Sequence, residues 1–493
     1  MRLLLPLSFL LLTTTLQAGE TYFAYTPDAQ AIYELVVTLR FAEAEQALEQ
    51  LQKDDPHNLV ALHLANYLEV FAILISEDEA LYKECRKNRD ERLWQLQRTD
   101  PNSPWYLFVQ ADVRLQWALL RLRFGEVMGA FNDVSKAYQL LERNQKVFPD
   151  FMPNYKDLGM LHAIVGTVPD QYRWGIQLLS GVEGSIRQGK AELERVLAYA
   201  ENESFLFARE TAVLYAYFLL HLEQAPEKAW SLVQDIGLSP KDSPLYCFIL
   251  ANVAMRSNRN EEALRILRER PQGKAFASIP YLEFMEGLVR LRRLDPGAKT
   301  YFKRYLEQFR GRNFIKEAYQ KMAWSALLDG DEDQYWSYMT ACRQKGYSDA
   351  GSDKNALLEA TSQRLPPVGL LKARLLFDGG YMQQAYEVLI LMADHDFATE
   401  YHQLEYTYRM GRVLHGLKKH NAALLFYQKT IRAGRASPYY FACNAALQSG
   451  LIYEETGQNT SARRSFALCL SMKPDEYRTG LHQSAKAGLK RLE

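Results

Sequence analysis

The residue types able to do chemistry are present in this chain, but their spacing assembles no known reaction centre. The stretch DGDEDQYW sets Asp329, Asp331 and Asp333 at alternate positions, a pattern suited to oxygen ligation of calcium. A helix–loop–helix calcium site also needs Gly at the sixth position and Glu at the twelfth. Gln334 and Thr340 stand there, so the stretch is expected to be a solvated turn between helices. His395 and His402, near Asp394, Asp396 and Glu400, are ligand types seven residues apart, a separation that can share one helix face. HDF has the character of a loop, and no metal is expected. The five cysteines (Cys85, Cys247, Cys342, Cys443, Cys469) stand singly with no CxxC pair, which fits small buried apolar residues better than a zinc or dithiol site. HExxH, GxSxG, GxxxxGK[ST] and GxGxxG are all absent. No catalytic residue, metal or cofactor is therefore expected.

The elements that would have to position any site are set by length and pattern. A single core seldom grows past about 250–300 residues, so 493 residues imply several domains or an elongated array. Lys+Arg and Asp+Glu are equal at 59 each, which gives no basic footprint for nucleic acid. The first residues, MRLLLPLSFLLLTTTLQAGE, carry Arg2, an apolar run from Leu3 to Leu12 and small residues ending at Ala18. This is the layout of a secretory signal peptide over 1–18, too short for a membrane anchor. Gly19 stands where a lipid-anchored chain would have Cys, so no lipid anchor is expected. No later segment is apolar for long enough to span a bilayer.

Two stretches near the C-terminus repeat each other. Gly411, Leu414, Ala423, Tyr427 and Thr430 are separated by 3, 9, 4 and 3 residues; Gly450, Tyr453, Ala462, Phe466 and Cys469 follow the same steps 39 residues on. Small residues let two antiparallel helices approach, a ring fills the gap toward the next pair, and Pro474 bars further helix. Weaker copies place Ala44, Leu48 and Leu51, then Ala229 and Val233, Ala251, Ala263 and Leu267, and Ala373, Ala385 and Leu389. Proline-led starts at Pro104, Pro244, Pro280, Pro367 and Pro438 mark the openings of first helices. Between about 104 and 200 helical patterning persists without the Ala/aromatic spacing. There GIQLLSGVEGSIRQGKAELERVL carries Gly175, Gly181, Gly184 and Gly189.

The six residues Gly450, Tyr453, Ala462, Phe466, Cys469 and Pro474 make the stretch resemble the tetratricopeptide repeat (TPR), a helix–turn–helix of 34 residues. The resemblance implies an all-α, right-handed α-solenoid of antiparallel hairpins. Its divisions are a degenerate region over 19–200, clearer repeats over 201–346 and C-terminal repeats over 347–493, with 346–365 as a joint in which DKNALLEAT is itself expected to be helical. Cys469 falls where the family puts a small packing residue. The family's inner groove is lined by first helices, which here gives Leu370, Arg374 and Phe377, then Tyr408, Arg412 and His415, then Leu447, Leu451 and Glu454. Arg374, Phe377, Tyr408, Arg412 and His415 are the partner-binding candidates, and the two arginines suit a carboxylate. Leu370, Leu371, Tyr408 and Arg409 do not supply the polar pattern of the family's chaperone-tail clamp. The whole looks like exported TPR proteins of Gram-negative bacteria. That implies a non-catalytic scaffold for a protein or peptide, periplasmic, secreted or outer-envelope associated. Two rivals are a carbohydrate-binding nutrient-uptake protein of the outer membrane and an α/α-toroid glycoside hydrolase. The second would need two facing carboxylates in a central funnel.

Overall fold

The computed structural model describes residues 21–166 and 183–492. The expected leader over 1–18, with Gly175 and Gly181, lies outside these. The described residues hold 24 α-helices and no strand; Tyr22 and Asn58 form one isolated bridge. Helices pair in chain order as α1 (Pro27–Val37) with α2 (Phe41–Asp54), α3 (Val60–Ser76) with α4 (Glu79–Leu96), α5 (Trp105–Arg123) with α6 (Val127–Val147), and α7 (Met152–Gly166) with α8 (Ile186–Asn202). They continue with α9 (Ala208–His221) and α10 (Pro226–Asp235), α11 (Pro244–Arg256) and α12 (Asn260–Arg268), α13 (Tyr281–Arg292) and α14 (Ala298–Gln308), then α15 (Ile315–Leu328) and α16 (Glu332–Gln344). A single helix, α17 (Gly351–Ser362), interrupts the pairing. The pairs α18 (Val368–Asp378)–α19 (Met382–Leu389), α20 (Glu400–Gly416)–α21 (His420–Gly434) and α22 (Phe441–Glu455)–α23 (Asn459–Ser471) follow, and α24 (Arg478–Arg491) closes the array. Each pair packs on the next, so the chain is an α-solenoid of TPR-like hairpins.

Eight of the hairpins share one turn. Leu39, Gly125, Gln224, Asn258, Gly330, Gly380, Lys418 and Gly457 all have positive φ and all stand two residues before a second helix. The amide after each reaches back to a carbonyl in the last turn of the first helix, as Lys419 does to Leu414 and Gln458 to Tyr453. This satisfies carbonyls that the helix end would leave bare. Gln224, Asn258, Leu294 and Gly330 are 34, 36 and 36 residues apart, which exposes the repeat where residue types conceal it.

Packing follows the small-against-large logic. Ala423, Tyr427, Ala462, Phe466 and Cys469 are wholly buried. A methyl group on Gly411 would stand 2.6 Å from the Tyr427 ring, and one on Gly450 would stand 2.4 Å from Phe466. The weaker copies follow suit, since Ala44, Ala229, Val233, Ala263, Leu267, Ala373, Ala385 and Leu389 are all core. In the poorly matching region Gly159 of α7 and Gly189 of α8 replace that device. A Cβ on Gly189 would meet the Gly159 carbonyl oxygen at 2.3 Å. All five cysteines are free and buried, but they are not all single: Cys443 Sγ lies 3.6 Å from Cys469 Sγ across the α22–α23 pair. Pro474 stands three residues beyond the end of α23 and bounds the following turn. Four of the five proline-led starts adjoin a first helix; Pro438 precedes α22 by a short turn. The expected joint at 346–365 is mostly α17. Its Asp353 carboxylate accepts the Phe314 and Glu317 amides at 2.6 and 3.0 Å and so caps α15.

The first two-thirds of the array curl until distant hairpins touch. The Glu77 carboxylate, at the α3–α4 turn, accepts the Arg312 and Asn313 amides, each at 3.0 Å, and the Asn313 side chain at 2.8 Å. Arg123 approaches the same carboxylate at 3.3 Å, and Arg312 pairs with Glu79 at 3.1 Å. Nearby the Ala277 amide donates to the Leu39 carbonyl at 2.8 Å.

Three outcomes follow from these contacts. Phe466→Ala should lower stability by about 3–5 kcal/mol in chemical denaturation. Gly450→Ala should also destabilise, because overpacking of about 1–3 kcal/mol outweighs a helix-propensity gain of about 1 kcal/mol. Glu77→Ala strands three donors and Arg123 and should cost about 3–5 kcal/mol. Small-angle scattering should then show a larger radius of gyration.

Candidate functional site

Two polar constellations lie on the inner, first-helix face, and only one of them is open. In the N-terminal half, side chains of α1, α3, α5, α7 and α9 converge. Lys156 is 1 % exposed and sits 2.6 Å from Glu210, 2.9 Å from Asp157 and 3.5 Å from Asp112. Asp112 also holds His63 Nε2 at 2.7 Å, and the Tyr25 hydroxyl lies 3.1 Å from His63 Nδ1. Glu210 accepts the Tyr33 and Tyr67 hydroxyls at 2.8 and 3.4 Å. Burial pushes the Asp157 carboxyl up to about 8, with the Asp112 charge adding to that and Lys156 opposing it. Lys156 stays charged against the cost of burial because three carboxylates surround it. These groups are committed to one another, so the inner face here is a filled core.

The open concavity is C-terminal. It encloses ≈ 990 Å³ of empty space, counting its mouth, and first helices of successive units line it. Trp324 and Lys321 come from α15, Glu359 from α17, Arg374 from α18, Arg409 from α20, and Tyr440 and Tyr477 from the residues leading into α22 and α24. A connected recess adds Phe377, Asp378, Tyr408, Arg412 and Asn444. The Arg374 guanidinium lies over the Trp324 ring at 4.5 Å, and its nearest carboxylate, Glu359, is 3.8 Å away. Burial disfavours the Arg374 charge, but Glu359 and Asp378 hold its pKa above the ordinary value. Glu359 is itself engaged, accepting Trp324 Nε1 at 2.6 Å and the Gln320 amide at 2.7 Å. Arg412 lies over Phe377 at 4.8 Å and donates to the Tyr408 hydroxyl at 2.7 Å. Among the described residues it forms no ion pair. Arg409 differs, because Glu405 holds it from one turn away.

Of the partner-binding candidates, Arg374, Phe377, Tyr408 and Arg412 line this one cleft. Tyr408 is core, with only its hydroxyl reaching the polar groups. His415 lies outside the cleft, farther along α20. Leu370 and Leu447, expected in the groove, are core, and Glu454 is held by Arg491 at 2.7 Å. Sequence spacing missed Glu359, Tyr440 and Tyr477, because α17 and the lead-in residues fall outside the repeat, and it missed Lys321 and Trp324 because α15 carries no recognisable copy of the motif. His395 is exposed beside Asp396, and His402 turns to Thr399 at 3.0 Å. The group among the described residues whose ligand atoms do converge is His415, His420 and Glu455, within 4.8 Å of one another. Asp331, from the candidate calcium stretch, caps α16 by accepting the Gln334 amide at 2.9 Å.

No protein-family model matches the chain, and no curated protein matches it. Among solved structures it is similar to the crystal structure of the APC/C hetero-tetramer Cut9-Hcn1, with 13% identity over 94% of this chain and 95% of that one and a TM-score of 0.24. At that score the likeness says nothing about how the hairpins are arranged. The TPR-like character rests on the shared turn and the buried Ala/aromatic spacing. Among the described residues no helix is long and apolar enough to cross a membrane.

A pH test follows from Asp157. Its folded pKa is raised, so the folded chain holds the proton more tightly than the unfolded chain does. Its contribution to stability is present at low pH and is lost as pH rises toward about 8. Asp157→Asn should therefore melt higher than wild type at pH 8 by thermal denaturation, with the gap narrowing steadily toward pH 4.

Proposed function

We propose that the chain is a non-catalytic scaffold whose C-terminal cleft receives an extended, carboxylate-bearing segment of another protein. Two guanidinium groups carry the reading. Arg374 and Arg412, from successive hairpins, lie on aromatic faces in one concavity without a carboxylate at hydrogen-bonding distance. A ring beneath a guanidinium fixes its plane and leaves its edge for forked hydrogen bonds to a carboxylate. The wall is mixed rather than basic: Lys321, Arg364, Arg374, Arg409 and Arg412 face Glu317, Glu359, Glu405, Glu476 and Asp378. That balance suits a polar, extended segment better than an apolar helix or a polyanion.

The leader-like first 18 residues support placement outside the cytoplasm, and the resemblance to exported TPR proteins of Gram-negative bacteria points to the periplasm or the outer envelope. The carbohydrate-binding alternative would use Trp324, Tyr401, Tyr440 and Tyr477 as stacking faces. Arg374 already covers Trp324, and Arg364 covers Tyr401 at 4.1 Å, so neither face is free for a sugar ring. For the toroid hydrolase, Asp112, Asp157 and Glu210 are bound to buried Lys156, and of the cleft carboxylates Glu359 is held by Trp324 and Gln320 and Glu405 by Arg409.

A peptide array sampling carboxylate placement should identify binders of the full chain. Arg374→Ala/Arg412→Ala should weaken each by about 10- to 100-fold, the range for losing one or two charge-assisted hydrogen bonds. Arg364→Ala, on the cleft rim, should change affinity by less than threefold. Undiminished binding by the double variant would remove this reading.

A further inference from the structure

We propose that His415, His420 and Glu455 form a binding site for a divalent late first-row transition metal, with Zn(II) as the fitting ion. The three residues come from one corner of two adjoining hairpins. His415 is the next-to-last residue of α20, His420 opens α21, and Glu455 ends α22. Glu455 Oε2 lies 3.7 Å from His420 Nε2 and 4.0 Å from His415 Nε2. In a tetrahedral zinc site with bonds near 2.0–2.1 Å, ligand atoms stand about 3.3 Å apart. A side-chain movement of about half an ångström would bring the carboxylate to that spacing.

Three further observations point to a ligand. His420 Nε2 is buried and has no hydrogen-bond partner, which leaves a donor or lone pair facing the space the ion would take. His415 Nδ1 lies 3.4 Å from the buried Tyr427 hydroxyl, which orients the ring and leaves Nε2 as the ligating atom. The carboxylate divides its work, since Oε1 accepts Lys418 Nζ at 2.9 Å while Oε2 faces the two rings. Lys418 is 69 % exposed and can swing aside, so its charge does not block a cation. Two imidazoles and one carboxylate select zinc-like ions over calcium or magnesium, which prefer all-oxygen ligands. Three protein ligands leave a fourth position for water.

The site tethers the α20–α21 turn to the far end of α22 and would fix the angle between two first helices that line the cleft. Arg412 stands one turn before His415 on α20 and its charge reaches that ring, but none of the three ligands lines the cleft. The sequence conceals it because His415 and His420 flank a turn with Lys418 at positive φ, and Glu455 belongs to the next repeat.

The test uses the full chain stripped with a chelator, titrated with Zn(II) by calorimetry and with Co(II) by visible absorption. The expected result is one equivalent bound, Co(II) displaced by Zn(II), and a rise in melting temperature with Zn(II). His420→Gln and Glu455→Gln should each weaken binding by at least about tenfold, while His395→Gln leaves it unchanged. Melting of the metal-free variants at the wild-type temperature would assign the loss to the ligands rather than to unfolding. No saturable one-equivalent binding, or binding that either ligand variant leaves unchanged, overturns the proposal.

Discussion

A buried ammonium group needs compensating charge, and Lys156 obtains it only if five first helices meet. Glu210 arrives from α9, Asp112 from α5 and Asp157 from its own helix, while Tyr33 and Tyr67 from α1 and α3 complete the coordination of Glu210. Removing the Lys156 ammonium from such a set would leave Asp112 and Glu210 stranded at a cost of several kcal/mol. The N-terminal hairpins are therefore constrained to curl tightly, with the inner face turned into core. The Glu77 contacts with residues 312 and 313 lie on the same constraint: once α1 to α9 close, the α3–α4 turn is carried against the α14–α15 connection.

The remaining hairpins are released from that closure. After α16 the chain spends twelve residues on the unpaired α17, which caps α15 through Asp353 and presents Glu359 to Trp324. The displacement leaves a gap on the first-helix side where the next three hairpins and α24 form a cleft. The inner face thus divides along the chain, filled in its N-terminal part and open where Arg374 and Arg412 lie. The small residues that space the C-terminal helices serve this division, because a ring held against Gly411 or Gly450 fixes how far apart successive first helices stand.

The all-α hairpin architecture was legible because Ala423, Tyr427, Ala462 and Phe466 obey a spacing that only paired helices satisfy. The shared turn was not legible. Its positive-φ position holds Leu, Gln, Asn or Lys as often as Gly, since the cost of about 1–2 kcal/mol per residue is tolerable where the turn saves two carbonyls from being bare. The region before residue 200 looked degenerate for a physical reason. Its inner positions are polar and bind one another, as His63, Asp112 and Lys156 do, and its close approaches use Gly159 against Gly189 rather than Ala against a ring. Of the site, the two arginines were readable from repeat register. The aromatic faces beneath them and the His415–His420–Glu455 corner depend on contacts between repeats, for which no local pattern exists.

Closure of the N-terminal arc is the claim on which the rest stands, and a distance across it tests it most directly. Spin labels at Ala80→Cys and Arg310→Cys, both exposed positions beside the Glu77 contact, can be attached selectively because the five native thiols are buried. Electron–electron double resonance on the full chain should give a single narrow distribution at the short end of the measurable range. A broad or long distribution, with α4 and α14 held apart, would contradict the account.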